Sequence, residues 1–220
     1  PYITDNETKT WALTPRYTWR GEILQHGNTF TAGVDLYWSE QDLQALSGFF
    51  TPVAVLSDIA AIERDSVGYY LYDEHAVLEN LILTLGARRE RVEYDLKKTD
   101  LTGFLAPLDA SVTQRESAYE AGLTYLYNAK SSVFVRANRS VRFPLTDEVV
   151  ISDFIGMMIR VNTDLKPQKG RHYEVGVRHF FTPGIRANVT LFRAEIKDEI
   201  FLNRFPSFSN ENHPETLHQG

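Results

Sequence analysis

Apolar and polar residues alternate one by one along most of the chain, and this pattern restricts the possible folds more than any other feature. In residues 10–20, Trp11 and Tyr17 share one phase, whereas Arg16 and Arg20 share the other. A period of two is typical of a β-strand with one apolar and one polar face. The alternation also predicts strands at residues 29–38, 67–76, 81–90, 119–127, 133–137, 173–181 and 185–191, with a ninth beginning near 199–202.

The segments between the predicted strands alternate in length. Short links occur at residues 21–28, 75–79, 128–131 and 182–184, and long ones at 39–65, 95–112 and 142–170. Tight turns on one side and large loops on the other are typical of outer-membrane barrels. A soluble β-sandwich gives no reason for this rhythm. The sequence therefore predicts an all-β fold, part of an antiparallel up-and-down transmembrane β-barrel.

Aromatic residues mark both ends of four predicted strands. The pairs, each eight residues apart in the apolar phase, are Trp11/Trp19, Phe30/Trp38, Tyr119/Tyr127 and Tyr173/Phe181. At about 3.3 Å per residue and a tilt of about 40°, such a pair spans on the order of 20 Å along a barrel axis. This distance is close to the height of the apolar band between two aromatic girdles.

The opposite phase of the strands carries polar side chains that suit a water-filled interior. They are Arg16, Arg20, Asp35, Arg88, Glu90, Glu120, Arg136, Asn138, Glu174 and Arg178. A lipocalin-like barrel would show the reverse arrangement, with an apolar interior and a polar exterior. We therefore expect the apolar phase to face lipid and the polar phase to face the lumen.

Composition excludes several classes of protein. No run of 18 apolar residues is present, so no transmembrane helix is predicted, while the mean hydropathy of −0.30 is compatible with alternating membrane strands. A net charge of −6 without a long basic run argues against nucleic-acid binding. The chain has no cysteine, no catalytic motif and no phosphate-binding loop. His172 and His179 are predicted on opposite faces of one strand, so they would not converge on one metal ion. We therefore expect no enzyme, cofactor or metal site.

Three segments resemble the TonB-dependent receptor family. Residues 135–144, followed by Asp147 and Glu148, are similar to its strand and F-R-x-P … D-E pattern. Residues 165–176 resemble its L-K-P-E … Y-E-x-G strand opening, with Gln168 where Glu is usual. Residues 192–220 are similar to the segment that ends N … T … x-G. The order and spacing of these patterns extend the resemblance over residues 11–220.

The resemblance implies a barrel of about 22 strands with a plugged lumen, to which residues 1–220 would contribute about eight or nine strands. The plug domain would precede Pro1, and the closing strands would follow Gly220. The motif residues are then architectural. We expect Gly86 and Gly176 to relieve crowding on the lumen wall, and Pro144 and Pro167 to mark where strands give way to loop.

The resemblance further implies energy-coupled import across the outer membrane of a metal chelate such as a ferric siderophore. The partners would be a TonB-type complex acting through the plug, the chelate and outer-membrane lipid. Binding residues tend to lie on loops, and Phe49 and Phe50 are the candidates here, beside a possible short helix within residues 53–62. Packing of that loop on its neighbours is the alternative role. A passive porin and a soluble β-rich ligand-binding protein remain alternative functions.

Overall fold

The alternating segments pair into one antiparallel sheet of ten strands. The computed structural model describes residues 2–47, 54–103, 105–152, 159–203 and 209–220. The sheet strands are β1 (Tyr2–Leu13), β2 (Arg16–Ile23), β3 (His26–Ser47), β4 (Val55–Leu78), β5 (Leu81–Asp100), β6 (Leu108–Leu126), β7 (Ser132–Arg142), β10 (Gln168–Thr182), β11 (Ile185–Asn203) and β12 (Ser209–Gln219). Their order is β1-β3-β4-β5-β6-β7-β10-β11-β12, with β2 also paired to β3, so the described sheet is open.

A helical turn and a small hairpin lie between β7 and β10. They are α1 (Thr146–Val149), β8 (Val150–Ser152) and β9 (Ile159–Val161). The Glu148 carboxylate closes the helical turn by accepting from the Leu145 backbone N–H at 2.9 Å. Asp147 and Glu148, the D-E part of the first resemblance, therefore lie in this helical turn. No helix among the described residues is long and apolar enough to cross a bilayer.

Pro15 divides the first predicted strand into β1 and β2. The two strands keep one register against β3, since Leu13 lies opposite Leu36 and Arg16 lies opposite Gly33. Pro15 has no N–H to donate, although its carbonyl still accepts from the Val34 N–H at 3.1 Å. Residues 10–20 therefore form one interrupted edge strand, a position that tolerates proline.

The strand register confirms the two predicted faces. One row across five strands contains Leu83, Leu123, Val135, Val175 and Leu191. We call this side of the sheet the apolar face, and most of its large side chains are exposed. The neighbouring row contains Thr84, Gly122, Arg136, Glu174 and Phe192. This opposite side, the polar face, carries all ten of the predicted lumen residues.

The long connections predicted at residues 39–65 and 95–112 are wrong, because β3 to β6 continue through most of them. These strands have 22, 24, 20 and 19 residues. Residues 55–62, part of the segment predicted as a helix, belong to β4. The predicted start of a ninth strand at 199–202 is also wrong, since these residues continue β11 and the next strand is β12. The short turns agree with prediction, and β7 and β10 adjoin Pro144 and Pro167 as expected.

The apolar core lies on the polar face, at the end of the sheet where β3 to β6 continue through the predicted long connections. We call this end the long-strand end. There the strands turn Leu43, Ile62, Tyr94 and Leu96 inward. These side chains pack against the inner segment, defined as residues 143–152 and 159–167. Its buried contributors are Phe143, Val149, Val150, Ile159 and Leu165. The inner segment therefore forms a second layer, which covers the polar face at the long-strand end, beyond the central part of the sheet.

Candidate functional site on the polar face

An arginine-centred cluster occupies the middle of the polar face. The Arg88 guanidinium donates to the Asp35 carboxylate and, at 2.8 Å, to Glu90. It also lies over the ring of Tyr70, 5.8 Å from the ring centroid. Tyr70 lies directly opposite Arg88 in the register, so neighbouring strands bring the two groups together. The cluster links three strands and sets one guanidinium against two carboxylates.

Beside this cluster the wall forms a depression of about 560 Å³. Its polar lining includes Tyr72, Glu120, Asn138 and Ser140, in addition to the Arg88 cluster. Hydroxyl, amide and carboxylate groups here can hydrogen-bond a polar solute or another polypeptide segment. The depression is open rather than enclosed, so a second surface would be needed to surround a ligand.

A second depression of about 350 Å³ lies nearer the short turns. Arg136, which lines this depression, forms an ion pair at 3.5 Å with Glu120, which lines the first depression. Glu174 and Arg178 on β10 complete a strip of alternating charge. Such a wall would stay hydrated, in agreement with the sequence prediction for these residues.

Two glycines of the polar face differ in the space that a Cβ atom would find at their positions. A Cβ on Gly176 would lie 2.5 Å from the Phe134 ring and 2.9 Å from the Val189 carbonyl oxygen. A Cβ on Gly86 would meet only ordinary contacts, at 3.4 Å from Tyr72 and 3.5 Å from Glu120. The predicted relief of crowding is therefore confirmed for Gly176 and wrong for Gly86.

Side chains of the sheet hold the inner segment by its backbone. The Tyr94 hydroxyl donates to the Pro144 carbonyl at 2.7 Å, and the Gln114 amide donates to the Leu165 carbonyl at 2.6 Å. The Asn212 side chain accepts from the Lys166 N–H at 2.8 Å and donates to its carbonyl at 3.1 Å. Burial raises the pKa of the Tyr94 phenol, so it remains a donor. The inner segment is thereby anchored to β5, β6 and β12.

A three-strand clamp lies where β6 and β7 cease to pair. The Glu116 carboxylate accepts from Arg139 on β7 at 2.8 Å and from Lys169 on β10 at 2.7 Å. Partial burial disfavours the Glu116 carboxylate, yet the hydrogen bonds from the two cations outweigh it and lower its pKa. The clamp joins β6 to its neighbours beyond their last paired residues, Tyr119 and Arg139.

A buried ion pair supports the far end of β4 and β5. The Lys98 Nζ lies 3.3 Å from the Asp58 carboxylate, and both side chains are almost inaccessible. Burial raises the pKa of Asp58, and the Lys98 ammonium offsets part of this effect. Removing one partner alone would leave a buried, unpaired charge, which is costly.

The predicted ligand-binding residues Phe49 and Phe50 lie outside the described residues, so their role stays a prediction. His172 and His179 lie on opposite faces of β10, as predicted: His172 contacts the Ser140 hydroxyl at 3.0 Å and His179 the Tyr127 hydroxyl at 2.7 Å. Across the described ranges, no three His, Asp or Glu side chains converge in a way that could hold a metal ion.

The whole chain matches one protein family. The family model described as "TonB dependent receptor-like, beta-barrel" covers residues 1–220. The chain belongs to this family. It is therefore part of a receptor barrel and not of an enzyme, and the barrels of TonB-dependent receptors lie in the outer membrane. No curated protein matches the chain at a significant level.

Solved structures of two ferric-chelate receptors and of a copper transporter share the fold. The ferric-catecholate import receptor Fiu from E. coli K12, in its closed form, matches with a TM-score of 0.72 and 18% identity over 99% of this chain and 35% of Fiu. The ferric yersiniabactin uptake receptor FyuA from Yersinia pestis matches with a TM-score of 0.74 and 13% identity, over 100% and 32%. The copper transporter OprC matches with a TM-score of 0.72 and 14% identity, over 96% and 33%. The chain thus spans about a third of their length.

Sequence reasoning missed the groups that anchor the inner segment, form the clamp and form the buried ion pair, among them Tyr94, Gln114, Glu116 and Lys98. A signal for them was present in the strands themselves. Beyond Trp38 on β3 and beyond Ala87 on β5, the apolar residues change from one phase to the other. A change of phase without a turn signal indicates a strand that continues into a new environment.

Proposed function

We propose that the chain forms part of the wall of a TonB-dependent importer that takes up a metal chelate such as a ferric siderophore. The observation that carries the proposal is the sheet with an exposed apolar face and an ion-paired polar face. It matches the receptor barrel family over every residue. An apolar exterior suits lipid, and a hydrated interior suits passage of a polar solute.

The class of cargo is supported by the function of the structural relatives. Fiu and FyuA are receptors for ferric chelates, and OprC is a copper transporter. We infer a chelated metal ion as the cargo, bound between this wall, the external loops and a plug. Phe49 and Phe50 remain our candidates for an apolar contact with the chelate, because loops carry specificity in such scaffolds.

Energy coupling would come through the plug rather than through these strands. A TonB-type complex would pull on the plug and open a path along the polar face. Both cations of the polar face described above are paired with carboxylates, Arg88 with Asp35 and Glu90 and Arg136 with Glu120, so neither would act as a deep electrostatic trap for an anionic solute.

The test is uptake of radiolabelled ferric chelates by cells that carry or lack the complete gene. We expect uptake to be lost without the gene, and lost equally when the energising complex is deleted. Uptake that persists without energy, with steady conductance of the purified protein in planar bilayers, would instead favour the passive porin. Replacing Phe49 and Phe50 by alanine should weaken chelate binding, with Phe181→Ala on the apolar face as control.

A further inference from the structure

Asp73 on β4 places a carboxylate on the apolar face near the short turns. The side chain is half-buried, and its register partners are Phe30 on β3 and Leu85 on β5. The apolar-face positions within residues 30–38 of β3 and 81–87 of β5 carry no charged side chain. An ionisable group on a surface that faces lipid is costly, and it marks a site that needs a partner.

The protein supplies the Asp73 carboxylate with one hydrogen bond. The side-chain amide of Asn28 donates to one of its oxygens at 2.9 Å. In the part of the chain that the structure describes, the Asp73 side chain forms no ion pair and accepts no other hydrogen bond. One carboxylate oxygen is therefore held in place, while the negative charge has no cationic partner.

Two further polar atoms beside Asp73 are buried. Asn28 Oδ1 and His75 Nδ1 have no hydrogen-bond partner among the described residues. Asn28 is 4% exposed and is the register partner of His75, so the two atoms belong to one place, which we call the Asp73 cluster. The Trp19 ring borders it, because that ring lies over Gly21, the register partner of Asn28. A ligand with a positive charge and several N–H donors would suit this cluster.

The Asp73 cluster lies at one edge of the band that would contact lipid tails. Phe30 marks the short-turn edge of this band on β3, and Tyr173 marks the opposite edge on β10. One register row runs from Phe30 through Asp73, Leu85, Ala121 and Ala137 to Tyr173. The row therefore climbs from one edge of the band to the other, as expected for strands that tilt within a membrane. A lipid with its headgroup at Asp73 would have its acyl chains directed along this row.

An apolar groove lies along the same row. Its volume is about 470 Å³, and its lining on this face consists of Leu83, Ala121, Leu123, Val135, Ala137 and Tyr173. Ala121 and Ala137 are register partners, and their small side chains leave room between larger neighbours. Because adjacent strands are about 4.8 Å apart, Ala121 lies about 10 Å from Asp73, two strands away. This separation suits a headgroup at the cluster and an acyl chain in the groove.

We propose that the Asp73 cluster and the groove bind a phospholipid with a primary ammonium headgroup, namely phosphatidylethanolamine, in the leaflet at the short-turn end. The ammonium would donate a charge-assisted hydrogen bond to the Asp73 carboxylate, and one acyl chain would lie in the groove. A quaternary ammonium carries the same charge but has no N–H, so a choline lipid would lack this hydrogen bond. The inference rests on the membrane placement of the proposed function.

The test uses the full-length protein in a non-ionic detergent and follows the midpoint of thermal unfolding during titration with lipid. Phosphatidylethanolamine and phosphatidylcholine with the same acyl chains differ only in the groups on the headgroup nitrogen. We expect the ethanolamine lipid to raise the midpoint at a concentration roughly tenfold lower than the choline lipid, which corresponds to about 1.4 kcal/mol.

Two matched variants of β4 locate the headgroup. Asp73→Asn should lose most of the preference for the ethanolamine lipid, because the charge that attracts the ammonium is removed. Asp65→Asn makes the same change on the same face at the other edge of the band, opposite Trp38, and should keep the wild-type preference. A preference that survives in Asp73→Asn, or that disappears in Asp65→Asn as well, would overturn the proposal.

A further pair of variants tests the groove. Ala121→Phe would fill it and should reduce the rise caused by the ethanolamine lipid, whereas Ala32→Phe, on the same face but outside the groove, should not. An unchanged rise in Ala121→Phe would contradict the proposal. Equal potency of the two lipids on the wild type would also overturn it, as would a full rise with free ethanolamine. If Asp73→Asn fails to fold, these comparisons carry the decision.

Failure of this inference and failure of the proposed function can be distinguished. Chelate uptake in cells tests transport, whereas the lipid titration tests the Asp73 cluster and the groove. Absence of the lipid preference with intact uptake would refute the lipid site alone. An intact preference in a protein without energy-dependent uptake would refute the importer and leave the lipid site in place.

Discussion

At the scale of single residues, the polar face is set by which side chains lie opposite each other. Gly176 is needed because the Phe134 ring lies over it, while Gly86 has space for a larger residue. Arg88 satisfies two carboxylates and a tyrosine ring at once. The contacts of Gly176 with Phe134 and of Arg88 with Asp35 and Tyr70 join different strands, so they depend on register more than on the local sequence.

The glycine contrast gives a direct prediction. Gly176→Ala should lower the free energy of unfolding by about 1–3 kcal/mol, because a backbone carbonyl as well as a ring must move. Gly86→Ala should change it by less than about 0.5 kcal/mol. Thermal unfolding of both full-length variants in detergent, followed by circular dichroism, measures the difference. Equal effects would show that Phe134 does not constrain Gly176.

The Glu116 clamp predicts a dependence of stability on pH. Its pKa is lower in the folded protein than the ordinary value of 4.5. The clamp therefore contributes fully above that value and is lost as the pH falls through the lower, folded pKa. We expect Glu116→Gln to cost about 1 kcal/mol at neutral pH and to weaken the loss of stability on acidification. Unfolding midpoints between neutral and acidic pH, compared with Glu120→Gln, measure this; parallel profiles would contradict it.

At the scale of elements, the long strands cross two environments. In the central band the apolar phase points outward, as at Leu85, whereas nearer the long-strand end it points inward, as at Leu96. The reason is the change of surroundings: in the proposed membrane placement lipid would lie outside the central band, whereas the inner segment packs on the inner side of the sheet nearer the long-strand end. A single strand thus keeps its hydrogen bonds while its apolar side chains exchange faces.

Labelling of single cysteines should reveal this exchange along β5. The chain has no cysteine of its own, so background reaction within it is absent. On intact cells we expect Lys97→Cys to react rapidly with a membrane-impermeant maleimide, while Leu96→Cys and Leu85→Cys react slowly. Leu85→Cys alone should carry a spin label accessible to oxygen in the lipid phase. Equal reactivity of positions 96 and 97 would contradict the inward packing of Leu96.

At the scale of the whole molecule, the open sheet has consequences for the chain on its own. Its described part leaves edges at β1, β2 and β12 and exposes apolar side chains such as Trp11, Val135 and Leu191. Bare strand edges and large apolar patches both promote association. These features fit a portion of a barrel wall embedded in lipid and continued by further strands.

We therefore expect residues 1–220, produced alone, to precipitate in plain buffer and to dissolve in detergent. Size-exclusion chromatography and light scattering with and without detergent measure this. A monodisperse monomer in plain buffer would contradict the lipid-facing assignment and favour the soluble β-rich binding protein. The wild-type full-length protein serves as the reference for the detergent-solubilised state.

The sequence by itself determined the positions of eight strands, their two faces and the short turns, because a strand between lipid and water must alternate residue by residue. It also carried the family motifs that led to the correct family. Only the tertiary structure decided how far β3 to β6 extend, where the inner segment packs and which charges meet. Those features depend on partners distant in the chain: Glu116 reaches Arg139 23 residues away, and Arg88 reaches Asp35 53 residues away. Such contacts arise from register and curvature, which no local pattern contains.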